Sequence, residues 1–384
     1  MFSRQLVTSV LLLFGNFLLK CEAKSFFKHG ATMNGIHLND SELIFAHVVY
    51  RHGDRTIQYG FPNDPWRDEE HWLSEGGFGA LTREGKRQHY KLGQYLRRRY
   101  GKILGDHYSP NKVYIISTDM DRTLMSAQAN LAGLFPPHAD EIWNECIPWQ
   151  PIPVHTIPVQ SDYVLNHLAA CPKYGVAFDK FMQESPEVQQ IYTKYADKFE
   201  YWSKMSGANI TTIKNVFDLH KTLYIETVHN KPLQKWAQKE FKSGVMEKIA
   251  NFRMKLATNT KELARLRIGF LLKDMLERFA QKINKTLKPD RSIVIFSAHD
   301  LTIANILNAL GVFNPHVPPY ASSLHFELYK NSENEHYIQL FYRKSNEEHL
   351  SPLNLPNCGT MCSLNRLYEL YSEIIPVDYE SECF

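Results

Sequence analysis

The chain has 384 residues, of which 43% are hydrophobic and 22% charged. That length and balance support a large buried core and exclude wholesale disorder. The formal net charge is only +3, with its charges dispersed, which excludes a strongly basic nucleic-acid-binding protein.

The first 23 residues have the form of a secretory leader. Arg4 precedes an apolar run from Leu6 to Leu19, and Cys21-Glu22-Ala23 offers small residues at the cleavage positions. The run is too short to span a bilayer comfortably. No later run is apolar enough for a membrane span, and the stretch from Ser372 to Phe384 carries no tail anchor. The expectation is a secreted product with no membrane partner, the lysosomal lumen being the lesser alternative.

The run Leu43-Ile44-Phe45-Ala46-His47-Val48-Val49-Tyr50 predicts a strand buried on both faces of a parallel sheet. It leads directly into Arg51-His52-Gly53-Asp54-Arg55-Thr56. In open α/β sheets the ligand crevice lies at the carboxyl ends of the strands. Two guanidinium forks suit phosphate oxygens, and an imidazole between them is placed to attack phosphorus. Asp54 faces two cations and is expected to orient an arginine or the loop. Tyr59, Phe61, Trp66 and Trp72 follow in a Pro- and Gly-rich loop, where they could wall the entrance or pack the loop itself. Lys86, Arg87, Lys91 and Arg97-Arg98-Arg99 lie along one predicted helix as a solvated face.

The next strand is Lys112-Val113-Tyr114-Ile115-Ile116, followed by Ser117-Thr118-Asp119-Met120-Asp121-Arg122-Thr123. Leu124, Ala127, Leu131 and Leu134 then recur at helical spacing. With Thr118 or Asp119 as the N-cap, Arg122 falls in the first helical turn. A cation gains nothing from a helix N-terminus, so an anion explains it better. From Cys146 to Asn284 the helical period dominates, and His155, between Pro153 and Pro158, is expected to fix a loop. The run Ser292-Ile293-Val294-Ile295-Phe296-Ser297-Ala298 is a third buried strand, ending in His299-Asp300 before a helix from about Leu301 to Leu310 closed by Gly311.

Three strand-to-helix junctions thus carry His, Arg and Asp toward one chemistry. The segments RHGDRT at 51–56, STDMDRTLMSAQANLAGLFPP at 117–137, WQPIPVHT at 149–156, SAHDLTIANIL at 297–307 and PPYASSLHFELY at 318–329 resemble the histidine acid phosphatase family, in its prostatic, lysosomal and insect-venom branch. The resemblance implies a nucleophilic His52, phosphate binding by Arg51, Arg55, Arg122 and His299, and leaving-group protonation by Asp300. It implies a phosphomonoester substrate, no cofactor, and a possible homodimer. Ile116 departs from the arginine usual in mammalian relatives, but its pattern belongs to the strand. The resemblance pairs Cys171 with Cys383 and Cys358 with Cys362. A third mammalian bridge is lost, because Ile225 and Ser323 stand at its two positions. Cys146 is left over and is expected to be a buried apolar filler.

Phosphoryl transfer needs mainly positioning and charge stabilisation, which three arginines supply without a metal. No HExxH, His-x-His or CxxC spacing is present, so no metal site is expected. Asn39, Asn209 and Asn284 lie in glycosylation sequons. The expected architecture is a mostly parallel α/β sheet with helices on both faces. Residues 24–145 and 260–384 would form that core, with 146–259 inserted as a helical cap. The function these readings favour is a secreted acid phosphatase. The alternatives are a phytase or inositol-phosphate phosphatase, a mutase-like transferase, and a secreted effector or allergen on a phosphatase scaffold. Phytase relatives usually continue the motif as RHG-x-R-x-P, whereas Ile57 stands here. The leader conflicts with a cytosolic mutase.

Overall fold

The computed structural model describes residues 41–166, 171–344 and 347–384. The leader at 1–23 and the Asn39 sequon lie outside the described residues. Six strands form one sheet: β1 (Ser41–Arg51), β2 (Val113–Thr118), β3 (His155–Ile157), β4 (Ile293–Ala298), β5 (Ser323–Asn331) and β6 (His336–Arg343). Their order is β3-β2-β4-β1-β5-β6. The first four run parallel, while β5 is antiparallel to both β1 and β6. The sheet is mostly parallel with helices on both faces, as the sequence implies, and carries one antiparallel hairpin at its edge.

Alternation along the buried strands explains the layers. Ala46, Val48, Tyr50, Ile293 and Ile295 point to one face, where they meet α1 (Arg83–Leu104) and α2 (Asp121–Leu134). Phe45, Val49, Val294, Phe296 and Ala298 point to the other, against the helices Gly269–Ile283 and Asp300–Ala309. Strands covered on both sides have no polar face, so their sequences read as unbroken apolar runs. α1 and α2 pack closely: a Cβ on Gly93 would lie 1.9 Å from the Asn130 carbonyl oxygen.

A separate apolar cluster joins Trp202, Val216, Leu219, Leu223, Met246 and Ile249. It draws on the helices Ala196–Ser206, Ile213–Val228 and Val245–Leu256. Phe61, from the loop after β1, belongs to the same cluster. The aromatic loop therefore packs against these helices, with Trp72 on Ile57 and Ile225. Tyr59 alone of its four aromatics is strongly exposed, at 52%.

Three expectations need correction. His155 lies in edge strand β3 rather than a loop, paired with Ile116 and stacked on Tyr114. Three residues between prolines are too short a run to show a strand period. Neither Thr118 nor Asp119 caps α2: the N-cap is Met120, which makes no side-chain cap bond. The Thr118 hydroxyl is held instead by Thr123 and His299. Cys146 is exposed rather than buried, because it sits in an irregular surface segment. The bridges Cys171–Cys383 and Cys358–Cys362 are both present. Asn209 and Asn284 are exposed, and Gly311 adopts the left-handed φ of 73° expected just past its helix.

Candidate active site

β1 delivers its motif to the carboxyl edge of the sheet by a close approach to α1. A Cβ on Gly53 would lie 2.4 Å from the Gly85 carbonyl oxygen, and one on Gly85 would lie 2.2 Å from that of Asp54. Only glycine fits at either position. Asp54, expected to orient an arginine or the loop, serves the loop. Its carboxylate accepts the Thr82 hydroxyl at 2.6 Å and meets His229 Nε2 at 3.0 Å. Thr82 in turn caps α1 through Gly85 N–H. Buried His89 lies 3.0 Å from the Arg51 carbonyl oxygen, fixing the strand end from below.

His52 is buried, and its Nδ1 lies 2.8 Å from the Gly53 carbonyl oxygen. A carbonyl only accepts, so Nδ1 carries the proton and Nε2 keeps the lone pair. Burial first, then the charges of Arg51, Arg122, His299 and Arg55, holds this imidazole well below its usual pKa. A histidine so placed stays neutral in acid and remains a competent nucleophile.

Three guanidiniums surround it. Arg51 donates to the Pro318 carbonyl, and its Nη2 lies 3.3 Å from Asp300 Oδ2. Arg55 donates to the Thr56 carbonyl at 2.5 Å and to Gln58 Oε1 at 3.2 Å. Arg122, in the first turn of α2, reaches the Met120 sulfur at 3.2 Å. Burial, then Arg55, lowers its pKa to about 10. The Nε atoms of all three arginines are buried without a hydrogen-bond partner. Each such donor costs about 1–3 kcal/mol of desolvation. An oxyanion among them would satisfy donors and cancel like-charge repulsion together.

β4 ends in the second imidazole and the carboxyl. His299 Nε2 lies 3.0 Å from the Thr118 hydroxyl, which ties β4 to β2, and its ring centroid is 5.7 Å from that of His52. Asp300 begins the following helix and accepts from Leu301 N–H at 2.8 Å. The fold thus brings Arg51, His52, Arg55, Arg122, His299 and Asp300 to one edge. The arrangement can bind a tetrahedral oxyanion, present a neutral nitrogen to it, and hold a carboxyl nearby.

Sequence reasoning missed two neighbours. Tyr320 lies under Arg51, its ring 4.1 Å from the guanidinium carbon, with its hydroxyl buried and unpartnered. Half-buried Lys221 comes from the helix Ile213–Val228; burial, then Arg55, pulls its pKa down to about 7. The Pro318-Pro319 pair marked a rigid approach to Tyr320, but no local signal marks Lys221. Nor does any local signal give the partners of His89 and His229, which are the Arg51 carbonyl and the Asp54 carboxylate.

The model of the histidine phosphatase superfamily (branch 2) matches residues 42–343. Prostatic acid phosphatase of Homo sapiens is 37% identical over 346 residues, 89% of this chain and 88% of that protein. Lysosomal acid phosphatase of Homo sapiens is 37% identical over 344 residues, 89% of this chain and 80% of that protein. Among solved structures, the phytase from Citrobacter braakii aligns with a TM-score of 0.63 at 20% identity, over 89% of this chain and 99% of that one. At that identity the likeness is one of fold.

Proposed function

Because the chain belongs to the histidine phosphatase superfamily, branch 2, we propose that it is a secreted acid phosphatase that cleaves phosphomonoesters through a phosphohistidine at His52. The acid phosphatase class rests on the prostatic and lysosomal relatives. The mechanism rests above all on one observation: His52 donates its Nδ1–H to the Gly53 carbonyl, which leaves the Nε2 lone pair in the field of three arginines.

In this reading Arg51, Arg55, Arg122 and His299 bind the phosphoryl oxygens and stabilise their charge in the transition state. His52 Nε2 attacks phosphorus, the P–O ester bond breaks, and Asp300 protonates the departing alkoxide. Water then cleaves the P–N bond, with Asp300 as its base, to release phosphate. The residue roles, the core at 24–145 and 260–384 with a cap at 146–259, and a homodimer all belong to the proposal. So does secretion by the leader; among the described residues no helix is long and apolar enough to cross a membrane.

The test is turnover at pH 5 without added metal, comparing p-nitrophenyl phosphate, phosphotyrosine peptides and phytate. Broad monoester turnover is expected. Strong preference for phytate would favour the inositol-phosphate reading, and no turnover of any ester would favour a non-enzymatic effector.

A further inference from the structure

At the other end of the sheet from His52, the fold unites three side chains that the sequence keeps apart. His107 lies just past the C-terminus of α1, and His138 just past that of α2. α2 has 14 residues, so it alone sets about 21 Å between this point and the catalytic edge. His138 Nδ1 is 3.1 Å from Glu141 Oε2, and His107 Nδ1 is 3.5 Å from the same oxygen. The two imidazoles stack with 7° between their planes and 4.7 Å between centroids. All three ligand atoms lie within 4.8 Å of one another.

In a tetrahedral zinc site with bonds of about 2.0–2.1 Å, neighbouring donor atoms stand about 3.3 Å apart. The two His–Glu separations bracket that spacing, and because the ring planes lie only 7° apart, one of the two exposed imidazoles must turn about its Cβ–Cγ bond for both lone pairs to meet a shared cation. We propose that His107, His138 and Glu141 form a surface site for a divalent transition cation of the zinc type, with water as a further ligand. Two imidazoles and one carboxylate suit such a cation, whereas magnesium and calcium demand oxygen.

The loops that carry the ligands are held in place. Arg97 donates to the Gly105 carbonyl at 2.7 Å and to that of Asp106 at 3.3 Å, pinning the turn before His107. Ala139–Glu141 is a single short turn, and His138 precedes it in extended conformation, with its Nδ1 brought back to Glu141 Oε2. Ala139 enters that turn at a left-handed φ of 51°. Tyr108 N–H occupies Glu141 Oε1 at 3.2 Å, leaving Oε2 to the imidazoles. A cation here would tie the ends of α1 and α2 together without touching the phosphate site. The competing account is an ion-free contact in which the histidines donate N–H to Glu141.

Calorimetric titration of the whole protein with zinc chloride at pH 7.5, paired with thermal melting, separates the two. One zinc per chain is expected, with a rise in Tm that EDTA reverses. H107A and H138A should each weaken uptake about tenfold or more, since even outer-shell partners are worth 10–100-fold. C146S and H52A should keep it, which excludes the exposed thiol and the catalytic imidazole as the ligands. Zinc-free H138A should turn over p-nitrophenyl phosphate as the wild type does. No uptake by the wild type, undiminished uptake by H107A and H138A, or loss of uptake in C146S would overturn the site.

Discussion

Arg51 Nη2 stands 3.3 Å from Asp300 Oδ2, so one guanidinium joins two strand ends and sets the charge of the proposed general acid. Burial alone would push the Asp300 carboxyl up. Arg51, then Lys221 and His299, outweigh it and hold that carboxyl well below the ordinary range. An ionised Asp300 cannot donate a proton. Phosphate bound to the same cations brings opposing negative charge and draws the carboxyl's pKa back up. In the proposed reaction, protonation of Asp300 is thereby coupled to substrate binding.

Asp300→Asn keeps the shape and removes the acid. A positioned general acid is worth about 10²–10⁴ in rate when the leaving group needs a proton. Glycerol phosphate cleavage should therefore fall by about that factor, and p-nitrophenyl phosphate cleavage much less. Steady-state kcat for both substrates at pH 5 checks this; equal losses would leave Asp300 as an orienting residue.

Arg55→Ala and Arg122→Ala should each lose about 3 kcal/mol of transition-state stabilisation, the scale for one preorganised donor. Vanadate presents a similar array of oxygens, so its inhibition constant should weaken in parallel with kcat/KM. A variant with unchanged vanadate affinity would remove that arginine from the phosphate site.

The candidate site's edge was legible where local pattern and chemistry coincide. Arg51, His52, Arg122, His299 and Asp300 each follow a buried strand, and an apolar run that breaks into charge is visible without knowing its neighbours. The same holds for the mostly parallel sheet. Lys221 and His229 were not legible, because their helix reaches the site through tertiary packing, of Phe61 and Trp72 and of Ala304 against it. Strand β3 was hidden by its length and its prolines. His107, His138 and Glu141 meet only because α1 and α2 pack side by side and end together.

The buried pair Asp64 and Glu226 joins the loop after β1 to the helix Ile213–Val228. Burial, then the Asp64 charge, pushes Glu226 up to about 9, and burial raises Asp64 as well. A carboxyl raised on folding contributes stability that is fully present below its unfolded pKa, about 4.3, and is lost as pH rises through the folded value. The Tm of the wild type should thus decline from pH 5 toward pH 9 more steeply than that of Glu226→Gln. Parallel Tm profiles for the two proteins would mean that the pair does not share a proton.

On β5, Glu327 accepts Arg99 Nε at 2.5 Å, the Tyr100 hydroxyl at 2.6 Å and the Tyr329 hydroxyl at 2.6 Å. This buried network ties α1 to the antiparallel edge, so Arg99, unlike Arg98, is not on the solvated face that the sequence predicts. Glu327→Gln leaves Arg99 without its counter-charge, and breaking such a pair costs about 3–5 kcal/mol. Urea unfolding should show a midpoint loss of that size with unchanged slope. A loss below about 1 kcal/mol, the range of an exposed pair, would show that Arg99 finds solvent.

The covalent step gives the most direct test. With Nδ1 committed to Gly53, only Nε2 of His52 can attack. Acid quenching destroys phosphohistidine, so turnover of a labelled phosphomonoester would be stopped with alkaline denaturant and the protein mapped by mass spectrometry. The expected result is an acid-labile phosphate on His52, bonded to Nε2, that decays at the rate of product release and is absent from His52→Ala. A label on Nδ1, a label on another residue, or full turnover by His52→Ala would contradict the account.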